Sequence, residues 1–153
     1  MRKIISIVLI LFVFIVVSGY ATEEQAFNNV CAWAQDAYDQ LVAQNIDVRV
    51  SEDAYVYNVE NGKQIHIEGT FQPGNAYIFI ASGCNDASQV DMAVFDNNGN
   101  MLVPGESGGI DAIVIFDVDQ TADLTVVIQL TSTNAGKSSA HVGVILMYAA
   151  SGK

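Results

Sequence analysis

The sequence predicts a mainly β protein, an antiparallel β-sandwich with one amphipathic α-helix at its N-terminal end. Three observations carry that prediction. Past Asn45, apolar residues recur at a period of two in short runs. Turns rich in Gly, Asn and Asp separate those runs, with no helical stretch between them. Before Asn45, one segment repeats its apolar residues at helical spacing instead. The 153 residues suit a single domain, and 51% hydrophobic residues exclude a disordered chain. A formal net charge of -11 excludes nucleic acid and anionic membrane surfaces as partners, since both require clustered Lys and Arg.

Residues 1–21 read as a signal peptide. Arg2 and Lys3 form a basic start, and Ile4 to Val17 is apolar except for Ser6. Gly19 and Ala21 supply the small residues that a cleavage site needs. The apolar run falls short of the ~20 residues that span a bilayer, although an uncleaved anchor is the alternative. Cleavage would leave four basic against 17 acidic side chains, a net charge of -13. The expected localisation is exported, either periplasmic or extracellular.

Residues 22–46 are expected to form the helix, packed on the domain. Thr22 and Gln25 fit a capping box, and Phe27, Val30, Cys31, Ala34, Tyr38, Leu41 and Val42 form the apolar stripe. Trp33 lies off that stripe and is expected over a neighbouring loop. Cys31 and Cys84 are an even pair in an exported chain, which predicts a disulfide. Two buried thiols that never meet are the alternative.

Residues 47–150 make up the sandwich. Ala54 to Glu60 and Lys63 to Gly69 flank Asn61-Gly62, a strong local hairpin signal. The implied register sets Tyr57 against His66 and Tyr55 against Glu68, a candidate recognition patch. Coverage of that face by the helix or another strand is the competing expectation. Pro73-Gly74 marks a turn. Ala76 to Ser82 is apolar on both faces and reads as a central strand. Gln89 to Phe95 follows, ended by a turn at Asp96 to Asn100 with Gly99 at positive φ. Met101 to Val103, Ile113 to Val118, Leu124 to Thr131 and His141 to Tyr148 complete the strands.

The stretch from Gly74 to Asp86, with Tyr77, Ala81 and Cys84, precedes Val90-Asp91 and Phe95-Asp96-Asn97-Asn98-Gly99. This pattern resembles the bacterial pre-peptidase C-terminal domain and its exported single-domain relatives over about residues 54–148. The resemblance implies a jelly-roll-like β-sandwich without a catalytic centre, acting as an accessory module. Some such domains bind calcium, although this chain has one Asp91 where an Asp-x-Asp pair is common. Asp86, Asp91, Asp96 and Asp111 sit near loop ends and are the candidate oxygen ligands for Ca²⁺. Solvated carboxylates are the alternative reading of the same four.

Gly105-Glu106-Ser107-Gly108-Gly109 fits Gly-x-Ser-x-Gly, but it follows Pro104 and precedes a strand rather than a helix. A flexible glycine loop is expected there. The combined expectation is an exported, non-catalytic accessory or binding protein of the bacterial envelope or extracellular space. Its ligand would be an unidentified protein or polysaccharide. It requires no cofactor, with calcium as the one candidate ion. The rival readings are a small secreted serine hydrolase using Ser107 and a self-associating structural envelope protein.

Overall fold

The sequence asks two apolar surfaces to be covered on one strand, Ala76 to Ser82, and the architecture answers with three layers. The computed structural model describes the backbone of residues 2–51 and 53–150 and the side chains of residues 22–51 and 53–149. The export-signal reading therefore rests on side chains outside the described ones. Helix α1 runs Arg2–Ala43. The strands are β1 Val48–Val50, β2 Tyr55–Glu60, β3 Gln64–Phe71, β4 Asn75–Gly83 and β5 Ala87–Asp96. They continue as β6 Met101–Pro104, β7 Glu106–Gly108, β8 Asp111–Asp117, β9 Ala122–Thr133 and β10 Ser139–Ala150. Among the described residues, no helix is long and apolar enough to cross a membrane.

The strands form two antiparallel sheets, a jelly-roll-like β-sandwich. The first is ordered β1-β10-β4-β8-β7, with β2 also pairing β10. β1 lies against 147–149 of β10 and β2 against 139–144, so they act as one interrupted edge strand. The second sheet is ordered β3-β9-β5-β6. Between the sheets lies the main core, with Phe71, Phe79, Val94, Phe116, Val126, Ile128, Leu130, Val142 and Val144. A second core lies between α1 and the other face of the first sheet, with Val30, Ala34, Val48, Ile78, Ile80, Ile145 and Met147. Strand β4 thus sends Ile78 and Ile80 toward the helix and Phe79 and Ala81 into the sandwich. Its two apolar faces have two different partners.

The Asn61-Gly62 segment does not close a hairpin. It makes the tight turn, with Gly62 at φ 77° and Lys63 N–H donating to the Glu60 carbonyl at 2.9 Å. The strands on either side then part: β2 joins β10 in one sheet, and β3 joins β9 in the other. The neighbouring connection draws them apart. Asn61 N–H donates to Ser138 O at 2.9 Å, and Gly62 N–H to Leu130 O at 2.8 Å. So β2–β3 runs alongside β9–β10, and both connections cross between the sheets at the same end. A two-residue turn satisfies its own geometry whether the flanking strands pair or diverge.

Thr22 is not an N-cap, because α1 continues through it. Its Oγ1 lies 3.0 Å from His141 Nδ1 on β10. The C-terminal end falls where the spacing predicts. Asn45 sits at φ 59°, its N–H bonds to Val42 O, and Ile46 N–H bonds back to Leu41 O, which is a Schellman cap. Ile46 and Leu41 both pack against the helix-side core, as the apolar contact of that motif requires. The buried stripe is rotated from the expected one. Ala26, Val30 and Ala34 are buried and Trp33 packs into the helix-side core, while Phe27 and Val42 are exposed.

Cys31 and Cys84 are free thiols. The disulfide expected from the even count is not formed: Cys31 packs against the helix-side core and Cys84 lies in the core between the sheets. Burial raises the Cys31 pKa above that of an ordinary thiol.

The helix can sit this low only because β10 carries Gly143. A Cβ there would fall 2.6 Å from Ala26 O and 2.7 Å from Val30 Cγ1. Two further bonds pin the same stretch: Asn29 Nδ2 donates to Gly83 O at 3.0 Å, and Asn85 N–H to Gln25 Oε1 at 2.9 Å. Gly143→Ala should therefore push α1 off the sheet and cost about 1–3 kcal/mol, the usual range for overpacking. Thermal unfolding followed by circular dichroism measures it, and a melting temperature equal to wild type would contradict this packing.

Candidate functional site

Strand alternation turns one side of the second sheet toward solvent. On β3, Ile65, Ile67 and Phe71 point inward, and Gln64, His66, Glu68 and Thr70 are exposed. On β9, Leu124, Val126, Ile128 and Leu130 are buried in the core, leaving Asp123, Thr125, Val127 and Gln129 to the other side. Register then sets these side chains in rows. Thr70 lies beside Asp123, Glu68 beside Thr125, His66 beside Val127, and Gln64 beside Gln129. On the far side of β9, Phe95 adjoins Thr125 and Asp91 adjoins Gln129.

The result is an open groove of about 840 Å³. Its lining includes Gln64, His66, Glu68, Phe95, Asp123 and Thr125 and, among the described residues, no Lys or Arg. Thr70 Oγ1 donates to Asp123 Oδ1 at 2.6 Å, Gln64 Nε2 to Gln129 Oε1 at 3.4 Å, and His66 Nε2 lies 3.1 Å from Gln64 Oε1. These contacts hold the polar side chains in place while leaving them exposed. The groove pairs amide, hydroxyl and carboxylate groups with one aromatic ring, a set that both accepts and donates hydrogen bonds.

The expected patch of Tyr55, Tyr57, His66 and Glu68 is split between two places. Because β2 and β3 belong to different sheets, Tyr57 does not face His66, nor Tyr55 Glu68. His66 and Glu68 line the outer groove. Tyr55 and Tyr57 instead line a second cleft, of about 510 Å³, at the mouth between the sheets. Glu68 borders both, as a residue on an unpaired edge strand can.

The four candidate calcium ligands do not converge. Asp86 pairs with Lys137 Nζ at 3.1 Å, and Asp111 accepts from Ser82 Oγ at 2.5 Å. Asp96 closes its own turn, accepting from the Asn98 and Asn100 backbone N–H groups, each at 2.8 Å, and from Asn100 Nδ2 at 2.9 Å. Asp91 accepts from Thr131 Oγ1 and from Gln89 Nε2 at 3.1 Å. Each carboxylate is satisfied locally, and among the described residues no three His, Cys, Asp or Glu side chains gather as a metal site. The residues present do not fit the six to eight oxygens that Ca²⁺ needs.

Ser107 is not placed as a nucleophile. Its segment is the edge strand β7 rather than a loose glycine loop, and it pairs with β8 instead of leading into a helix. Its side chain hydrogen-bonds Asp91. The histidines are engaged elsewhere, His66 with Gln64 and His141 with Thr22. The serine–histidine contact of a hydrolase is therefore not assembled.

Sequence reading missed Gln64, Phe95, Asp123 and Thr125 as groove residues. Their signal was available, since polar residues occupy alternate positions of a strand whose other face is Leu and Ile. Which other strands lay beside it was not available.

No family model and no curated protein matches the chain. Among solved structures it is similar to PliG of Aeromonas hydrophila, a periplasmic inhibitor of g-type lysozyme. That match has 9% identity over 69% of this chain and 88% of that one, with a TM-score of 0.43. It is also similar to a family 29 carbohydrate-binding module, at 16% identity over 71% of this chain and 84% of that one, with a TM-score of 0.41. A mitogen derived from Yersinia pseudotuberculosis gives 10% identity, 66% and 85% coverage and a TM-score of 0.42.

Two carboxyls in and beside the groove are shifted. Partial burial raises the Asp91 pKa, but hydrogen bonds from Thr131, Gln89 and Ser107 outweigh it and hold the group below the ordinary aspartate value. Asp96 is lowered chiefly by Asn100, through its side chain and its backbone N–H. A depressed carboxyl pKa stabilises the fold above the unfolded value of ~3.9, and that contribution is lost as pH falls through the folded value. Asp91→Asn should thus melt below wild type at pH 6, with the gap closing as pH drops past about 4. A gap that stays constant with pH would show that the Asp91 charge is not what stabilises.

Proposed function

We propose that this protein is an exported, non-catalytic binding module that holds a neutral polysaccharide in the outer groove of its second sheet. The observation that carries the reading is the groove itself. An open trough of about 840 Å³ accommodates several residues of an extended polymer, rather than enclosing a small molecule. Sugar hydroxyls both donate and accept, and the carboxylates of Glu68 and Asp123 and the amide of Gln64 match them. The Phe95 ring offers an apolar surface to the C–H face of a pyranose. A neutral polymer is favoured over an acidic one because Glu68, Asp96 and Asp123 line the groove, with no Lys or Arg among the described residues there.

Export is supported by the basic start, apolar run and small residues within 1–21. The accessory role is supported by the resemblance of about residues 54–148 to pre-peptidase C-terminal domains and by the unassembled serine–histidine contact. Recognition on this face uses side chains already ordered by neighbouring strands, so little entropy remains to be lost on binding.

Affinity electrophoresis through gels containing neutral glucans, mannans or xylans tests the reading. Wild-type protein should be retarded by at least one of them. Phe95→Ala and Gln64→Ala should each reduce that retardation by about fivefold or more, the loss of one well-placed contact. Free migration in every gel, or retardation indifferent to both substitutions, would refute the proposal.

A further inference from the structure

The second cleft lies where β2 and β3 part, and its chemistry differs from that of the groove. Its volume of about 510 Å³ falls within the range of small-molecule pockets. Tyr55 and Tyr57 form one wall, Phe71 and Ile67 the other, and Phe79 and Val144 the floor. The rings at the back are fixed. Phe71 meets Tyr77 edge-on at 4.8 Å and Phe116 at 5.0 Å, and Tyr77 hydroxyl exchanges hydrogen bonds with the Gln72 backbone at 2.8 and 3.1 Å. Tyr55 and Tyr57 have no part in those ring pairs, and Tyr55 is 55% exposed.

The rim is acidic. Glu68 borders the cleft, and Tyr55 hydroxyl donates to Asp53 Oδ2 at 3.4 Å, so a second carboxylate adjoins the Tyr55 ring. Among the described residues, no Lys, Arg or His lines it. An apolar acid would carry its carboxylate against Glu68. A cation meets the reverse: aromatic faces attract it through their quadrupoles, and the rim carboxylates complement its charge. The chain's net charge of -11 adds long-range attraction of the same sign.

We propose that the mouth between β2 and β3 is a binding site for an organic ammonium cation carried on a small apolar body. The apolar body fills the space against Phe71, Phe79 and Val144. The ammonium group sits at the entrance between Tyr55, Tyr57 and Glu68. This site opens on the other side of β3 from the groove, and Glu68, Gly69 and Thr70 border both.

Calorimetric titration of the full domain with benzyltrimethylammonium tests it, with benzyl alcohol and benzoate as the neutral and anionic comparisons. The cation should bind saturably, and at least about tenfold more tightly than either comparison compound. Tyr55→Ala should weaken the cation about fivefold, and it removes an exposed ring, so the fold survives. Glu68→Gln should weaken the cation and leave benzyl alcohol unaffected. His66→Ala, which alters only the outer groove, should change nothing. Absence of saturable binding, or equal affinity for the alcohol, would overturn the proposal. So would cation binding abolished by His66→Ala but untouched by Tyr55→Ala, because the cation would then occupy the groove.

Discussion

The first sheet must be buried on both faces, and the rest of the structure follows from that requirement. β4 and β10 are apolar on both sides, so neither sheet-on-sheet nor helix-on-sheet packing alone would remove their surface from water. The second sheet covers one face, and α1 covers the other through Val30, Ala34, Ile80, Ile145 and Met147. Gly143 sets the distance of closest approach for that layer. With the helix committed to the first sheet, the outer side of the second sheet has no described element over it. The polar groove is the surface left free by this division of labour.

The crossings between the sheets determine the second opening. β2–β3 and β9–β10 change sheets at the same end of the sandwich, around Gly62 and Leu130. From that closed end the strands diverge, so Tyr55 on β2 and Phe71 on β3 lie at the wide end. A true hairpin would have zipped those edges together and filled the space with cross-strand pairs. The cleft is therefore a consequence of topology, and its aromatic lining follows from which residues face inward near the open end.

Period-two patterning made the strands legible, and the two-faced burial of β4 was readable because Ile78, Phe79, Ile80 and Ala81 run without a polar interruption. The helix end was readable because Asn45 and Ile46 carry a local signal. Pairing partners were not readable. Val59 pairs with Ala140 and Ile67 with Val126, separations across which no local spacing constrains register. The misplaced patch followed from that one assumption about pairing. The aspartates misled for a related reason: an Asp near a loop end looks the same whether it awaits an ion or caps a turn, as Asp96 does through Asn98 and Asn100. Only the partners distinguish the two cases.

The Gly-x-Ser-x-Gly segment shows how a pattern associated with catalysis arises from chain geometry. Gly105 lies where the chain leaves β6 in one sheet for β7 in the other. Its N–H donates to Met92 O at 2.8 Å, and a Cβ there would fall 2.6 Å from that oxygen and 2.9 Å from Ile113 O. No other residue fits so close a passage between two backbones. Gly109 sits at φ 68° in the turn between β7 and β8, a conformation that side-chain-bearing residues rarely adopt. Both glycines thus have a structural cause unrelated to a nucleophile elbow. Between them Ser107 is presented on an edge strand, where its hydroxyl helps hold the Asp91 carboxylate ionised beside the groove. The segment contributes to this face through electrostatics and packing, and the serine's partner is a carboxylate where the serine–histidine contact of a hydrolase would need an imidazole.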